Sequence, residues 1–110
     1  MDSSNKAFGS CYINGAYRYL YSTDLIEANT KYNAVLTYDG SVLKFYLNGV
    51  LQDSYASTKG ITSPSNSTIY VMGANPYGST AKSHYLKGNI YKLKIYSRAL
   101  TGEEILNLDL

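Results

Sequence analysis

Residues 37–52 read TYDGSVLKFYLNGVLQ, with two Asx-Gly pairs, Asp39-Gly40 and Asn48-Gly49, nine positions apart. Such pairs supply the positive φ angles that two-residue hairpin turns require. Between them Leu43, Phe45 and Leu47 share one face of an extended chain, and Lys44 and Tyr46 share the other. A period of two with one apolar face is the mark of a half-buried strand. The stretch therefore predicts a three-stranded antiparallel meander.

Working outward, Tyr17-Arg18-Tyr19-Leu20-Tyr21 alternates aromatic residues with others, and Asn33–Tyr38 is a short apolar run ending at the first turn. Val50–Tyr55 follows the second turn, and Ile69–Gly73 reads as another strand. In Asn89–Ser97, Tyr91, Leu93 and Ile95 alternate with Lys92, Lys94 and Tyr96, which predicts a last strand. Residues 56–68 and 74–86, rich in Ser, Thr, Gly and Pro, are expected to be loops. Thr101-Gly102-Glu103-Glu104 carries a capping box and first-turn carboxylates, so a helix of one or two turns should start there. Short strands separated by turn signals, with no helix between them, argue for an all-β antiparallel sandwich with a short C-terminal helix.

The chain has 110 residues, which suits one domain spanning 1–110. Its 13 Tyr, 2 Phe and no Trp favour half-exposed faces over a dry core, because tyrosine joins an apolar ring to a polar tip. Charged residues are 16% and the net charge is +2, too little to make a nucleic-acid footprint. The local basic group of Lys87, Lys92, Lys94 and Arg98 reads as the solvated side of a strand. Cys11 is single, so it forms no internal disulfide. No apolar run approaches the ~18 residues needed to span a membrane. The first residues, Met1-Asp2-Ser3-Ser4-Asn5, lack the features of a signal peptide. The chain is then either intracellular when made or a piece of a longer protein.

Residues 29–51, NTKYNAVLTYDGSVLKFYLNGVL, and 87–105, KGNIYKLKIYSRALTGEEI, resemble the laminin G-like branch of the concanavalin A-like jelly rolls. The resemblance implies a shortened jelly roll. The family usually has Trp where Lys31 stands, often His where Asn33 stands, and acidic residues where Tyr91 and Lys92 stand. About thirty residues precede the match, so strands that complete one sheet in the family should be missing or reduced. Open edges in such a sandwich invite pairing with another chain. The chain would then be a pared-down jelly roll, a C-terminal fragment, or a subunit completed by a partner.

Related glucanases carry two glutamates with an aspartate between them, and this sequence has no Glu-x-Asp-x-x-Glu. A retaining glycosidase needs two carboxyls ~5 Å apart. Asp39 is accounted for by a turn and Glu103 and Glu104 by a helix start, and Asp24 and Glu27, three apart, are the candidate pair. The resemblance also implies calcium at the sandwich rim in many relatives. Calcium takes six to eight oxygens, and Asp24, Glu27 and Asn29 are the weak candidates for it; otherwise no cofactor is expected. His84, the single histidine, has no nucleophile or acid near it in sequence and reads as a loop residue that could bond a sugar hydroxyl.

Tyrosine with Asn, Ser and Gly on loops is the positive signal. A ring can pack on a sugar's C–H face while amides and hydroxyls bond its rim, on loops held by a rigid scaffold. Asn75, Tyr77 and Ser79 with His84 and Tyr85 form one such group, and Tyr17, Tyr19 and Tyr21 offer a platform. The competing reading of that stripe is a core or a set of cross-strand pairs. The expectation is a noncatalytic, lectin-like carbohydrate-binding module for a glycan or cell-surface polymer, as in a phage tail, surface adhesin or secreted enzyme. Its place would be extracellular, at a cell surface or on a virion, with no nucleic-acid partner. The alternative is a structural subunit, homo-oligomeric or completed by strands of its parent protein, in which an open edge serves assembly.

Overall fold

The computed structural model describes residues 5–61, 75–77, 81–83 and 88–108, the two short middle stretches by their backbone. The chain divides into two compact units, residues 1–62 with 96–110, and residues 63–95.

In the first unit, β1 (Phe8–Ile13) pairs with β2 (Ala16–Tyr21) as an antiparallel hairpin. Asn14 and Gly15 link them, both with positive φ (54° and 78°), as a two-residue turn of the primed kind demands. Then β3 (Ala34–Tyr38), β4 (Val42–Leu47) and β5 (Val50–Ala56) form the meander in the order β3-β4-β5. The Asn48-Gly49 turn has the expected left-handed pair, φ 51° and 81°. The Asp39-Gly40 turn does not. Only Gly40 is left-handed, and register resumes at Tyr38 and Leu43. Asp39 Oδ1 instead accepts the N–H groups of Ser41 and Val42, both at 2.8 Å, so a side chain closes a longer loop. Those same bonds hold the Asp39 carboxyl below its ordinary pKa.

Gln52 is the extra residue of a β-bulge, because Phe45 faces Asp53 while Tyr46 faces Leu51. Its side-chain oxygen accepts from Thr23 N–H (2.9 Å) and Thr23 Oγ1 (3.1 Å), tying β5 to the segment leaving β2.

One face of the meander meets the β1–β2 hairpin. Leu20, Leu43 and Phe45 are buried together, with Ala7, Cys11, Leu36, Tyr38 and Tyr55 packed around them. Burying each large apolar side chain contributes about 1.5–3 kcal/mol. Ser22, the buried polar residue here, is satisfied: its hydroxyl accepts from Ala7 N–H and donates to Asp24 C=O. The other face meets the chain end. Tyr46, Leu100 and Ile105 form a second buried cluster, flanked by Val35 and Leu108. Tyr46 was expected on a solvated face with Lys44; residues 100–108 bury it.

The helix α1 (Gly102–Leu106) starts where the capping box predicts. Glu104 N–H donates to Thr101 Oγ1 at 3.2 Å, and Thr101 N–H donates to Glu104 Oε1 at 3.0 Å. Arg98 grips the same carboxylate with two nitrogens, at 2.8 and 2.6 Å. That contact, with the Thr101 N–H, pushes the Glu104 carboxyl down to about 2.

Two stretches beyond the meander depart from expectation. Residues 75–77 and 81–83, read as loop, form a short antiparallel hairpin of β6 (Asn75–Tyr77) and β7 (Ala81–Ser83). Residues 89–97, read as a strand, are in no strand; Leu93 is 65% exposed and Ile95 88%. Alternation states which face a strand would bury, but a strand also needs a backbone partner to exist. The expected strand at 69–73 lies outside the described residues.

Candidate functional site

The β1–β2 register sorts the side chains of the first hairpin into two faces. Phe8, Ser10 and Tyr12 face Tyr21, Tyr19 and Tyr17 across the strands, and alternation puts all six on one side. Gly9, Cys11 and Ile13 with Ala16, Arg18 and Leu20 take the other side, toward the meander. The Cys11 thiol is half-buried there and burial raises its pKa, so it is held as a protonated thiol rather than a nucleophile.

Arg18 is folded back on its own hairpin. Its Nε and Nη2 donate to the carbonyls of Ile13 and Asn14 (3.3 and 3.1 Å), and the guanidinium carbon lies 5.0 Å from the centre of the Tyr55 ring. The six residues of the outer face include no Asp, Glu, Lys, Arg or His.

On that face the rings touch in sequence. Tyr17 and Tyr19 have centroids 6.3 Å apart, and Tyr19 and Tyr21 are 6.4 Å apart. Across the strands, Phe8 meets Tyr19 edge-on at 5.4 Å and Tyr21 at 5.6 Å, while Tyr12 meets Tyr17 edge-on at 5.1 Å. Edge-to-face pairs of this kind each contribute about 0.5–1.5 kcal/mol beyond area burial. Tyr12 Oη also donates to Gly15 C=O, fixing its ring at the turn. Nothing among the described residues covers the stripe: Tyr17, Tyr19 and Tyr21 are 51, 47 and 38% exposed. They make the expected cross-strand pairs but fill no core.

Phe8 and Tyr12 were not singled out from sequence, although Asn14-Gly15 between two alternating runs is the same hairpin signal as Asn48-Gly49.

The loop group falls in the second unit. Asn75 and Tyr77 lie two apart on β6, in the second unit. Ser79, His84 and Tyr85 lie outside the described residues.

Asp24, Glu27 and Asn29 are all exposed in the connection from β2 to β3. Asp24 C=O accepts from Ser22, Glu27 N–H donates to Tyr32 Oη, and Asn29 sits in a left-handed turn with φ 58°. Among the described residues, no three His, Cys, Asp or Glu side chains gather as a metal site. No helix of the described residues is long and apolar enough to cross a membrane.

A laminin G family model, described as the concanavalin A-like lectin/glucanases superfamily, matches residues 2–106. The match takes in the β1–β2 hairpin as well as the two stretches that carried the resemblance. A crystal structure of an S-layer domain-containing protein from Clostridium thermocellum is similar to the chain, with a TM-score of 0.56 and 20% identity. The similarity covers 83% of this chain and 44% of that one, so the chain spans less than half the length of that structure. No curated protein matches the sequence.

Proposed function

Because the chain belongs to the concanavalin A-like lectin/glucanases superfamily, we propose that it is a noncatalytic carbohydrate-binding module for a glycan or cell-surface polymer. That superfamily's name covers both binding proteins and enzymes, so the reading rests on this chain's own residues. The observation that carries it is the uncovered row of Tyr17, Tyr19 and Tyr21, backed by Phe8 and Tyr12. Aromatic rings offer apolar contact to sugar C–H groups, and phenol hydroxyls bond the sugar rim. The row is held on paired strands, so little order is lost on binding. A single shallow site of this kind is weak, and repetition in a larger assembly raises its avidity. Asn75, Tyr77, Ser79, His84 and Tyr85 belong to the second unit and are candidates for a separate sugar contact there.

A glycan array followed by titration tests the reading. Tyr19→Ala, at the centre of the row, should weaken binding roughly tenfold, equivalent to about 1.4 kcal/mol. Equal binding by the variant, or a chain that binds no glycan, removes the proposal. Binding is expected to survive chelation of calcium, since Asp24 and Glu27 do not gather with a third acid. Loss of binding in a chelator, restored by calcium, would return those residues to the site.

Exposure of Leu93 and Ile95 favours a second reading, an assembly subunit. The meander's outer strands β3 and β5 could accept a further strand from another chain. The similar S-layer domain-containing protein fits a surface location under either reading. Light scattering at several concentrations separates them. A concentration-independent monomer argues against assembly, and a stable oligomer moves it ahead of the module reading.

A further inference from the structure

A cleft of about 320 Å³ opens on the meander face opposite the tyrosine row. Its floor is Thr37 of β3 with Val42, Lys44 and Tyr46 of β4. Thr37 and Lys44 are cross-strand partners, so their side chains rise together. Asp39 closes the end at the β3–β4 loop, and Ala99–Gly102 form the far wall. The volume is at the small end of ligand sites, which run from about 300 to 1,000 Å³.

Two charged side chains in this cleft keep hydrogen-bonding capacity beyond what the fold uses. Lys44 makes no hydrogen bond or ion pair among the described residues. Asp39 is fixed in place by two backbone N–H groups on Oδ1, which leaves Oδ2 as an acceptor. Thr101 is engaged in the helix cap, its Oγ1 accepting from Glu104 N–H and its hydroxyl bonding the Glu104 carboxylate. Between these groups lie the buried Tyr46 and Leu100. The cleft thus presents an oriented acceptor, a strong donor and the Thr37 hydroxyl around an apolar patch.

We propose that this cleft is a second saccharide subsite, taking one uncharged pyranose unit. The inference rests on the carbohydrate-binding reading but uses none of the tyrosine-row residues. Its chemical class follows from the charges. Lys44 and Asp39 are opposite in sign and do not touch, so a ligand of either charge meets one group of its own sign. A hydroxyl both donates and accepts and satisfies both. Hydrogen bonds to charged groups are roughly twice as strong as neutral ones, which suits capture of a small polyol.

Amide chemical shifts of the ¹⁵N-labelled chain test this, with glucose, galactose and N-acetylglucosamine as neutral probes and glucuronic acid as the charged one. A neutral sugar should shift the amides of Thr37, Lys44 and Gly102 as a group separate from those of β1 and β2. Lys44→Met keeps the aliphatic stem, and Thr37→Val keeps the shape. Each should weaken the cleft response about tenfold and leave the β1–β2 response intact. The wild-type spectra alone carry the test if either variant misfolds. Shifts confined to β1 and β2 overturn the cleft and leave the module standing. Cleft shifts with glucuronic acid alone overturn the uncharged class. No shift at either face with any sugar removes this inference and the proposed function together.

Discussion

A Cβ added to Gly9 would stand 2.9 Å from Leu36 Cδ1 and 3.1 Å from Phe45 Cδ1. Gly9 is a close approach of the hairpin to the meander, and Phe45 behind it is buried and close-packed. Gly9→Val should therefore cost about 1–3 kcal/mol by overpacking, read as an earlier urea midpoint; an unmoved midpoint would show that the sheets separate freely. Asn33 poses the opposite problem. Its backbone N–H donates to Asn48 Oδ1 and its C=O accepts from Asn48 N–H, but its own Oδ1 is buried with no partner among the described residues. A buried, unmade hydrogen bond costs about 1–3 kcal/mol. Asn33→Ala should then be neutral or stabilising in thermal unfolding, whereas a clear loss would mean that the amide has a partner in solution. Neither position was legible. Close approach at Gly9 depends on a layer assembled from distant residues, and an unsatisfied atom is invisible until its surroundings are known.

Among the elements, those whose cause is local were readable. Asn48-Gly49 makes its own turn, alternation marks β4, and Thr101 with Glu104 writes the helix start. Thr101→Ala should cost about 1 kcal/mol, seen as fraying of α1 and weaker packing of Ile105 on Tyr46. The Glu104 carboxylate adds a pH signature. Its pKa is lowered from 4.5 to about 2 by Arg98 and Thr101. A depressed carboxylate stabilises the fold fully above its unfolded value, and that part is lost as pH falls through the folded value. Denaturant midpoints should drop between pH 4.5 and about 2 in the native chain, and by less in Glu104→Gln. Equal drops in both would assign the acid sensitivity elsewhere. The misreadings have a common source. Asp39-Gly40 has the composition of a two-residue turn, yet the Asp39 side chain competes for the backbone and lengthens the loop. Residues 89–97 have the right period and no ladder. The composition of residues 74–86 suggests a loop, yet Asn75–Tyr77 and Ala81–Ser83 pair. Pairing is a property of two segments, and one segment's pattern cannot declare it.

For the first unit as a whole, the meander is the middle of three layers, with the hairpin on one face and residues 98–108 on the other. The sandwich class was therefore legible, but the use of the chain end as a layer was not, because Leu100 and Ile105 are too few to announce a packing face. Deleting residues 98–110 should uncover Val35 and Tyr46 and leave a species that binds a hydrophobic dye and unfolds without a sharp transition. A cooperative, dye-negative truncation would mean that the two-layer core suffices. Of the candidate site, the Tyr17–Tyr21 stripe was visible as alternation, but its exposure follows from which side of the hairpin meets Phe45. The stripe has one more consequence. The chain has no tryptophan, so its near-ultraviolet spectrum is a tyrosine and phenylalanine spectrum. Rings 5.1–6.4 Å apart are near enough to couple as chromophores. The outer face is thus an optical antenna built into the protein, and whatever settles on it will change the circular dichroism and emission of the unlabelled molecule.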